Sequence, residues 1–455
     1  MPRFPLPPVP SPLIDVEVAE SFRRGVPVAS VDTGKAGDVR DGQGEFRWLV
    51  GVGEGAAKDW RAAGAAFVRA VQADDAKPVR SVQVELGPQA RVAEFALGAL
   101  LGGYRFKVSV DTRPGLQTLR LVTASADRQL VARVRELAAA TALARDLANT
   151  PSNIKNPAWL AETAERVVAG VPGVRATIRD EAWLAEQGFG GVLAVGGGSA
   201  SPPRFIELTY RPRGAVKHLL LVGKGITFDT GGLSIKPADG MHLMRTDMAG
   251  GGAVIAALRA IAALRLEVRV TALVPAAENH VSGGSYRPGD VVRHYGGTTT
   301  EVSNTDAEGR MVLADALAYG IRRFRPDAVV DVATLTGAMK VALGLRTGGL
   351  FATDDDLAAR LAAAGERTGE AWWRMPLLDA HAGAVRGELG DVRQAPGGPG
   401  GITAALFLRE FVDSVPWAHL DIAGPARADK TYAEVVPGAT GFAARTLVEL
   451  AASYA

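Results

Sequence analysis

The run HLLLVGKGITFDTGG, residues 218–232, decides the reading of this chain. His218–Val222 is a short apolar run, fit for a buried strand. It leads straight into Gly223-Lys224-Gly225, then Asp229, with Lys236-Pro237 beyond. In open α/β sheets, ligands collect in loops at the carboxyl ends of strands. A Gly-dense loop in that place lets the backbone approach a ligand closely. Order excludes a phosphate loop: Gly-Lys must close a G-x-x-x-x-G-K-S/T run, and here Gly225 follows Lys224. A plain Gly-rich turn with a solvated Lys and Asp remains the alternative at this point.

Strands and helices alternate on both sides of the run. Phe46–Val52 and Arg80–Leu86 are expected strands, and Trp60–Ala73 and Val92–Leu101 expected helices. Arg128–Ala148, rich in Ala and Leu with periodic charges, predicts one long helix that stops at Asn149-Thr150-Pro151. Further on, a helix is expected from about Met241 to Leu264, a strand at Val268–Val274 and an extended segment at Thr299–Asn304. Met311–Phe324 follows as a helix and Asp327–Ala333 as a strand. Leu357–Ala364, Ile402–Val412 and Phe442–Ala452 are further expected helices, with Trp417–Ile422 a strand. The pattern predicts an α/β fold with a mixed or parallel sheet covered on both faces. The expected organisation is an N-terminal domain over 1–127, a connecting helix over 128–150 and a second domain over 151–455.

Composition narrows the function. The chain is 47% hydrophobic and 22% charged, ordinary for a globular protein. It has no Cys, which excludes disulfides, Fe–S clusters, thiolate metal sites and thiol nucleophiles. Net charge is +2, with 20 basic and 17 acidic residues in the first 150, so nucleic-acid binding gains no support. The Pro-rich start, MPRFPLPPVPSPL, lacks the apolar run of a signal peptide. Met248–Leu264 is apolar but is interrupted by Arg259 and too short to span a bilayer. A cytoplasmic protein without a membrane partner is expected.

Two more segments carry chemistry. Met244-Arg245-Thr246-Asp247 opens the apolar helix and runs into Gly250-Gly251-Gly252. Three consecutive glycines in a helix cost about 1 kcal/mol each relative to Ala, so they imply packing against another backbone. Asn304-Thr305-Asp306-Ala307-Glu308-Gly309-Arg310 lies between a strand and a helix. If that run is extended, Asp306, Glu308 and Arg310 point to one side. Asp229, Asp247, Asp306 and Glu308 converging alone would repel one another and raise each other's pKa. Two divalent cations supply +4 against that −4. Carboxylate oxygens suit Mg and Mn and, with an amine nitrogen, Zn. The six His residues show no metal-ligand pair.

At this point the residues resemble the leucyl aminopeptidases of the dinuclear-metal cytosol aminopeptidase family. The resemblance rests on Val222–Pro237, Met241–Met248, Asn304–Arg310 with Val312–Leu317, and Asp331–Ala338, supported by Asp146–Pro151, Gly197–Pro203 and Trp417–Gly424. It covers nearly all of 128–455 and is faint before that, where Leu97–Phe106 matches best. It implies a smaller N-terminal α/β domain joined by the long helix to a C-terminal catalytic domain with a mixed central sheet, assembled as a homohexamer. By resemblance, Lys224, Asp229, Asp247 and Glu308 hold one metal. Asp229, Asp306 and Glu308, with the Asp306 carbonyl, hold the other. The cofactors implied are two divalent ions, Zn or Mn, with a bicarbonate at Arg310. Lys236 and Arg310 match the catalytic cations, and Met244, Thr334 and Gly337 the pocket for the first side chain. The implied reaction releases N-terminal residues from peptides, with Leu and Met preferred over Lys, Asp and Glu. As a metal ligand, Lys224 must be a neutral amine with a depressed pKa.

The departures are modest. His242 and His280 stand where other residues are usual. Leu389–Gln394 departs from the usual Ala-Asp…Asn pattern, and the loop Gly397–Gly401, expected at the substrate entrance, is Gly-heavy. A dinuclear phosphoesterase is disfavoured by the missing His ligands, and an inactive scaffold by seven intact matched positions. Gly51–Ala56 misses G-x-G-x-x-G and reads as a turn.

Overall fold

The computed structural model describes residues 7–74, 78–109, 115–124 and 128–455. Residues 1–6 of the Pro-rich start and the expected domain end at 127 lie outside them. The chain divides into two compact units. One holds the described residues up to Ala142 with Ala428–Gly438; the other is Leu143–Arg427 with Ala439–Ala455. The division therefore falls inside the helix Arg128–Asn149 rather than at its ends. The helix is unbroken, and its first half adds Val131, Val134 and Ala138 to the first unit's core.

The first unit carries a six-stranded sheet in the order Asp15–Ala19, Thr118–Val122, Ser81–Glu85, Val28–Asp32, Phe46–Gly51, Val39–Asp41. The last pair is antiparallel and the others parallel. The helices Ala57–Ala73 and Val92–Gly102 meet the expected ranges closely.

The second unit is a mixed sheet with a parallel centre. Trp417–Asp421, Ala328–Ala333, His218–Gly223 and Arg269–Asn279 run parallel in that order. Antiparallel Arg204–Tyr210 and Thr347–Ala352 flank them. Gly225–Asp229 adds a further parallel pair to the far half of Arg269–Asn279. Pro275 interrupts that long strand without penalty. Pairing to His218–Gly223 ends at Leu273, and pairing to Gly225–Asp229 starts at Ala276, so the missing N–H falls in the gap.

Two local expectations are corrected. The single helix from Met241 to Leu264 is broken: a 3-10 helix, Met241–Thr246, precedes the α-helix Ala249–Ala263, with Asp247 between them. The Asp247 N–H caps the short helix by donating to Met244 O at 3.1 Å. The run at 306–310 is not extended either, because the next helix already begins at Glu308. A turn closed by Ala307 N to Asn304 O (3.1 Å) brings Asp306 next to it.

Two of the three glycines that open Ala249–Ala263, Gly250 and Gly251, do lie on backbone, and Gly252 does not. A Cβ on Gly250 would sit 2.0 Å from Val332 O, whereas one on Gly252 would meet only Met248 Cε at 3.3 Å and looser neighbours. That close approach lets Lys224 be pinned between a strand and a helix: its N–H donates to Val332 O (3.0 Å), and its carbonyl accepts from Gly251 N (2.9 Å). The helix Ala249–Ala263 is buried at every position except Arg259 and Ala263, as a core helix is.

Thermal unfolding of two variants checks this packing. Gly250→Ala is expected to be destabilised by about 1–3 kcal/mol or more through overpacking. Gly252→Ala is expected to be neutral or slightly stabilised by its better helix propensity. Equal midpoints would contradict the close approach.

Candidate metal centre

Each chemical group stands at the end of a regular element of the second unit. Lys224 follows the strand His218–Gly223, and Asp229 ends Gly225–Asp229. Thr334 follows Ala328–Ala333, Asp247 follows the 3-10 helix, and Glu308 opens the helix Glu308–Phe324. These are the carboxyl ends of central strands and the loops beside them, where such sheets bind ligands.

The side chains converge. Asp229, Asp306 and Glu308 each offer one oxygen within 4.8 Å of the others'. The Lys224 ammonium meets Asp247 Oδ1 at 3.0 Å, Glu308 Oε1 at 2.7 Å and the Thr334 carbonyl at 3.2 Å. The Lys236 ammonium lies 2.8 Å from Asp229 Oδ2 and bonds Asp306 Oδ1. Gly309 makes room for Lys224: a Cβ there would lie 2.6 Å from Lys224 Cε. Sequence reasoning named all six charged residues, and the structure brings them together, through a turn instead of an extended run.

Electrostatics follow from the crowding. Burial works against the Lys224 ammonium, but Asp247, Glu308 and Asp229 outweigh it and raise its pKa above the ordinary lysine value. Lys236 is raised in the same way, burial being overcome by Asp229 and Glu308. The depressed pKa expected of Lys224 is therefore not what the protein's own charges produce; a neutral amine there requires added positive charge. Burial, then the charge of Asp229, pushes the Glu308 carboxyl up to about 8. Asp306 is raised by burial and by Asp229. Burial lowers Arg310 to about 10, so it remains a cation at neutral pH.

The donor set fits divalent cations. Four carboxylates meet only two lysines. Two buried oxygens, Asp247 Oδ2 and Glu308 Oε1, lack a hydrogen bond although the Lys224 nitrogen is within ion-pair distance of each. Buried carboxylate oxygens left in that state are costly without further positive charge. Oxygen donors with one amine nitrogen suit Mg, Mn or Zn.

The remaining predicted residues are placed as follows. Arg310 is buried; its Nη1 donates to Gln394 O at 2.6 Å, and its Nε has no hydrogen bond. The Thr334 hydroxyl bonds Asp247 Oδ1 at 2.7 Å, which ties it to the carboxylate shell. Gly337 opens a helix, and a Cβ there would meet nothing within 4 Å. Met244 is half-buried, one 3-10 turn before Asp247.

Several supporting residues escaped sequence reasoning. Asn279 Nδ2 donates to Asp229 Oδ1 (2.8 Å) and to Thr305 O (3.0 Å), and the Tyr286 hydroxyl donates to the same carbonyl at 2.8 Å. Thr305 in turn clips the Gly-rich loop, donating to Gly231 O at 2.6 Å. Lys155 is fully buried and donates to Leu147 O and Ala148 O, both at 3.0 Å, and to Arg245 O. It thereby ties the end of Arg128–Asn149 to the segment bearing Asp247. Lys155 could have been noticed, since lysines are few here, but Asn-Ile-Lys-Asn reads locally as a solvated turn. Three of the six histidines serve structure: His294 bonds Asp315 at 2.9 Å, His419 pairs with Asp331 at 2.5 Å, and His218 meets Thr271 at 2.9 Å.

Comparison with known proteins shows the family. Residues 142–448 match the model of the cytosol aminopeptidase family, catalytic domain. A probable cytosol aminopeptidase of Roseiflexus castenholzii is 45% identical over 419 residues, covering 88% of this chain and 86% of that one. One of Chlorobaculum tepidum is 42% identical over 431 residues, covering 88% and 85%. Among solved structures, the bottromycin maturation enzyme BotP in complex with Mn is similar with a TM-score of 0.87 and 43% identity, covering 94% of this chain and 98% of that one. A mutant of tomato leucine aminopeptidase gives a TM-score of 0.89 at 30% identity, covering 99% and 98%. With a match this extensive around a convergent carboxylate cluster, the chain belongs to the cytosol aminopeptidase family of metal-dependent aminopeptidases.

Proposed function

We propose that the chain releases N-terminal Leu and other apolar residues from peptides with the help of two divalent cations, Zn or Mn. The carrying observation is the convergence of Asp229, Asp306 and Glu308 oxygens within 4.8 Å, with Lys224 and Asp247 alongside. Lys224, Asp229, Asp247 and Glu308 are assigned to one ion. Asp229, Asp306 and Glu308, with the Asp306 carbonyl, are assigned to the other. When bound, the cations lower the pKa of a water toward neutrality, polarise the scissile carbonyl and anchor the free α-amine.

The chain's own residues do the rest. Lys236 is less buried than Lys224 and is not assigned to either cation. It therefore suits donation to the oxyanion that develops on the scissile carbonyl. Every carboxylate of the cluster is committed as a ligand, so none is left as general base. Arg310, a buried cation with an unbonded Nε, is assigned to hold a bicarbonate for that proton transfer. The reading extends to a cytoplasmic homohexamer, testable by light scattering as six times the 47.4 kDa chain mass.

Hydrolysis of Leu-p-nitroanilide by chelator-treated protein, with Zn, Mn, Co or Mg added back, tests the core of this reading. Activity should vanish and return with metal; activity that survives full metal removal would overturn it. Lys236→Ala should lower kcat by about 100-fold or more, as loss of one oxyanion donor does, with both metals retained. Lys224→Ala should instead lose metal. Equal metal content in the two variants would refute the roles assigned.

Specificity gives a separate prediction. The open space beside Gly337 is assigned to the first substrate side chain. Gly337→Val should therefore lower kcat/KM for Leu-amide by about 10-fold or more while sparing Ala-amide, since a methylene of fit is worth about 1–3 kcal/mol. Equal losses on both amides would move the pocket elsewhere. No acidic residue is assigned to it, so Lys-amide should be poorer than Leu-amide.

A further inference from the structure

Gln394 is fully buried and hydrogen-bonds the turn that bears Asp306 at several points. It directly follows the two-residue strand Val392–Arg393, which pairs in parallel with Thr299–Glu301. That pairing sends two segments out of the small sheet side by side. One enters Gln394 and the other Ser303-Asn304. Gln394 N donates to Glu301 O at 3.0 Å, which fixes the residue at the sheet's end.

Its side-chain amide then spans the turn. Oε1 accepts from Ser303 N and Asn304 N, both at 3.2 Å. Nε2 donates to Ala307 O at 3.0 Å. Its main-chain carbonyl accepts the 2.6 Å bond from Arg310 Nη1. One residue thus holds the entrance of the turn, its exit and the guanidinium beyond it. Thr305 holds the middle of the same turn from the opposite side, through Gly231 and Ser234. Only an amide serves here. A carboxylate cannot donate to Ala307 O, and an apolar side chain makes none of these bonds.

We propose that Gln394 is a positioning residue for the reaction, holding Asp306, Glu308 and Arg310 in one frame without touching the substrate. The proposal rests on the metallo-aminopeptidase reading. It adds a dependence of turnover on a side chain that is neither ligand, donor to the oxyanion nor pocket wall.

The test compares Gln394→Leu and Gln394→Asn with the natural chain. Three quantities are measured: kcat and KM separately on metal-loaded protein with Leu-p-nitroanilide, Mn affinity by calorimetry, and the thermal midpoint. Gln394→Leu should lower kcat per metal-loaded chain about 10–100-fold and weaken Mn binding by a similar factor, the usual size for a residue that orients ligands. KM should stay within about 3-fold, because ground-state binding is untouched. Gln394→Asn keeps the amide but is one methylene short of spanning the turn, so it should show the same pattern less strongly. It carries the test if the Leu variant does not fold. A lower thermal midpoint with unchanged kcat and Mn affinity would make Gln394 merely structural and overturn the proposal, as would a raised KM with kcat intact. If the natural chain itself fails to hydrolyse the substrate, the functional reading falls. The calorimetric comparison then still decides the positioning claim, and unchanged Mn affinity would refute it.

Discussion

Mutual repulsion among Asp229, Asp247, Asp306 and Glu308 is the constraint on which the second unit's architecture depends. Four carboxylates buried or half-buried in one pocket repel one another and would separate if the backbone allowed it. Lys224 and Lys236 each bridge a different pair, Asp247 with Glu308 and Asp229 with Asp306. Two lysines cannot balance four carboxylates, and two buried oxygens remain without hydrogen bonds. The site is thus built with a standing preference for added positive charge. The family's metal dependence is the chemical expression of that preference.

Holding such a cluster together requires a stiff frame and neutral donors. The frame is the parallel centre of the sheet, against which Gly250 packs with no room for a side chain. Asn279 and Thr334 hydrogen-bond the Asp229 and Asp247 carboxylates, and Tyr286 and Gln394 the backbone of the turn beside Asp306, all without adding negative charge. Ligand orientation by such outer residues normally matters nearly as much as the ligands themselves.

Much of this was legible in the residues. The α/β alternation, the mixed sheet and the family followed from the Gly-rich loop, the NTDAEGR run and their order. Local geometry was harder to read. Asp306 and Glu308 were expected to share a side through a two-residue strand period, yet Glu308 starts a helix and a turn achieves the meeting. The helix from Met241 was expected to run unbroken, since hydrophobic periodicity does not register a change from 3-10 to α geometry. Asn279, Lys155 and Gln394 could not be ranked from sequence. Their partners are mostly backbone atoms, many of them distant in sequence, which leave no pattern in the side chains. Lys224 shows the limit most directly: its raised pKa arises from three segments that meet only in the fold.

The most direct measurement is anomalous X-ray diffraction from crystals of the chain grown with Mn. The account predicts two anomalous peaks per chain. One lies among Lys224, Asp229, Asp247 and Glu308, and the other among Asp229, Asp306 and Glu308. A single peak, or peaks away from these residues, would contradict the claim that this cluster is a two-cation site.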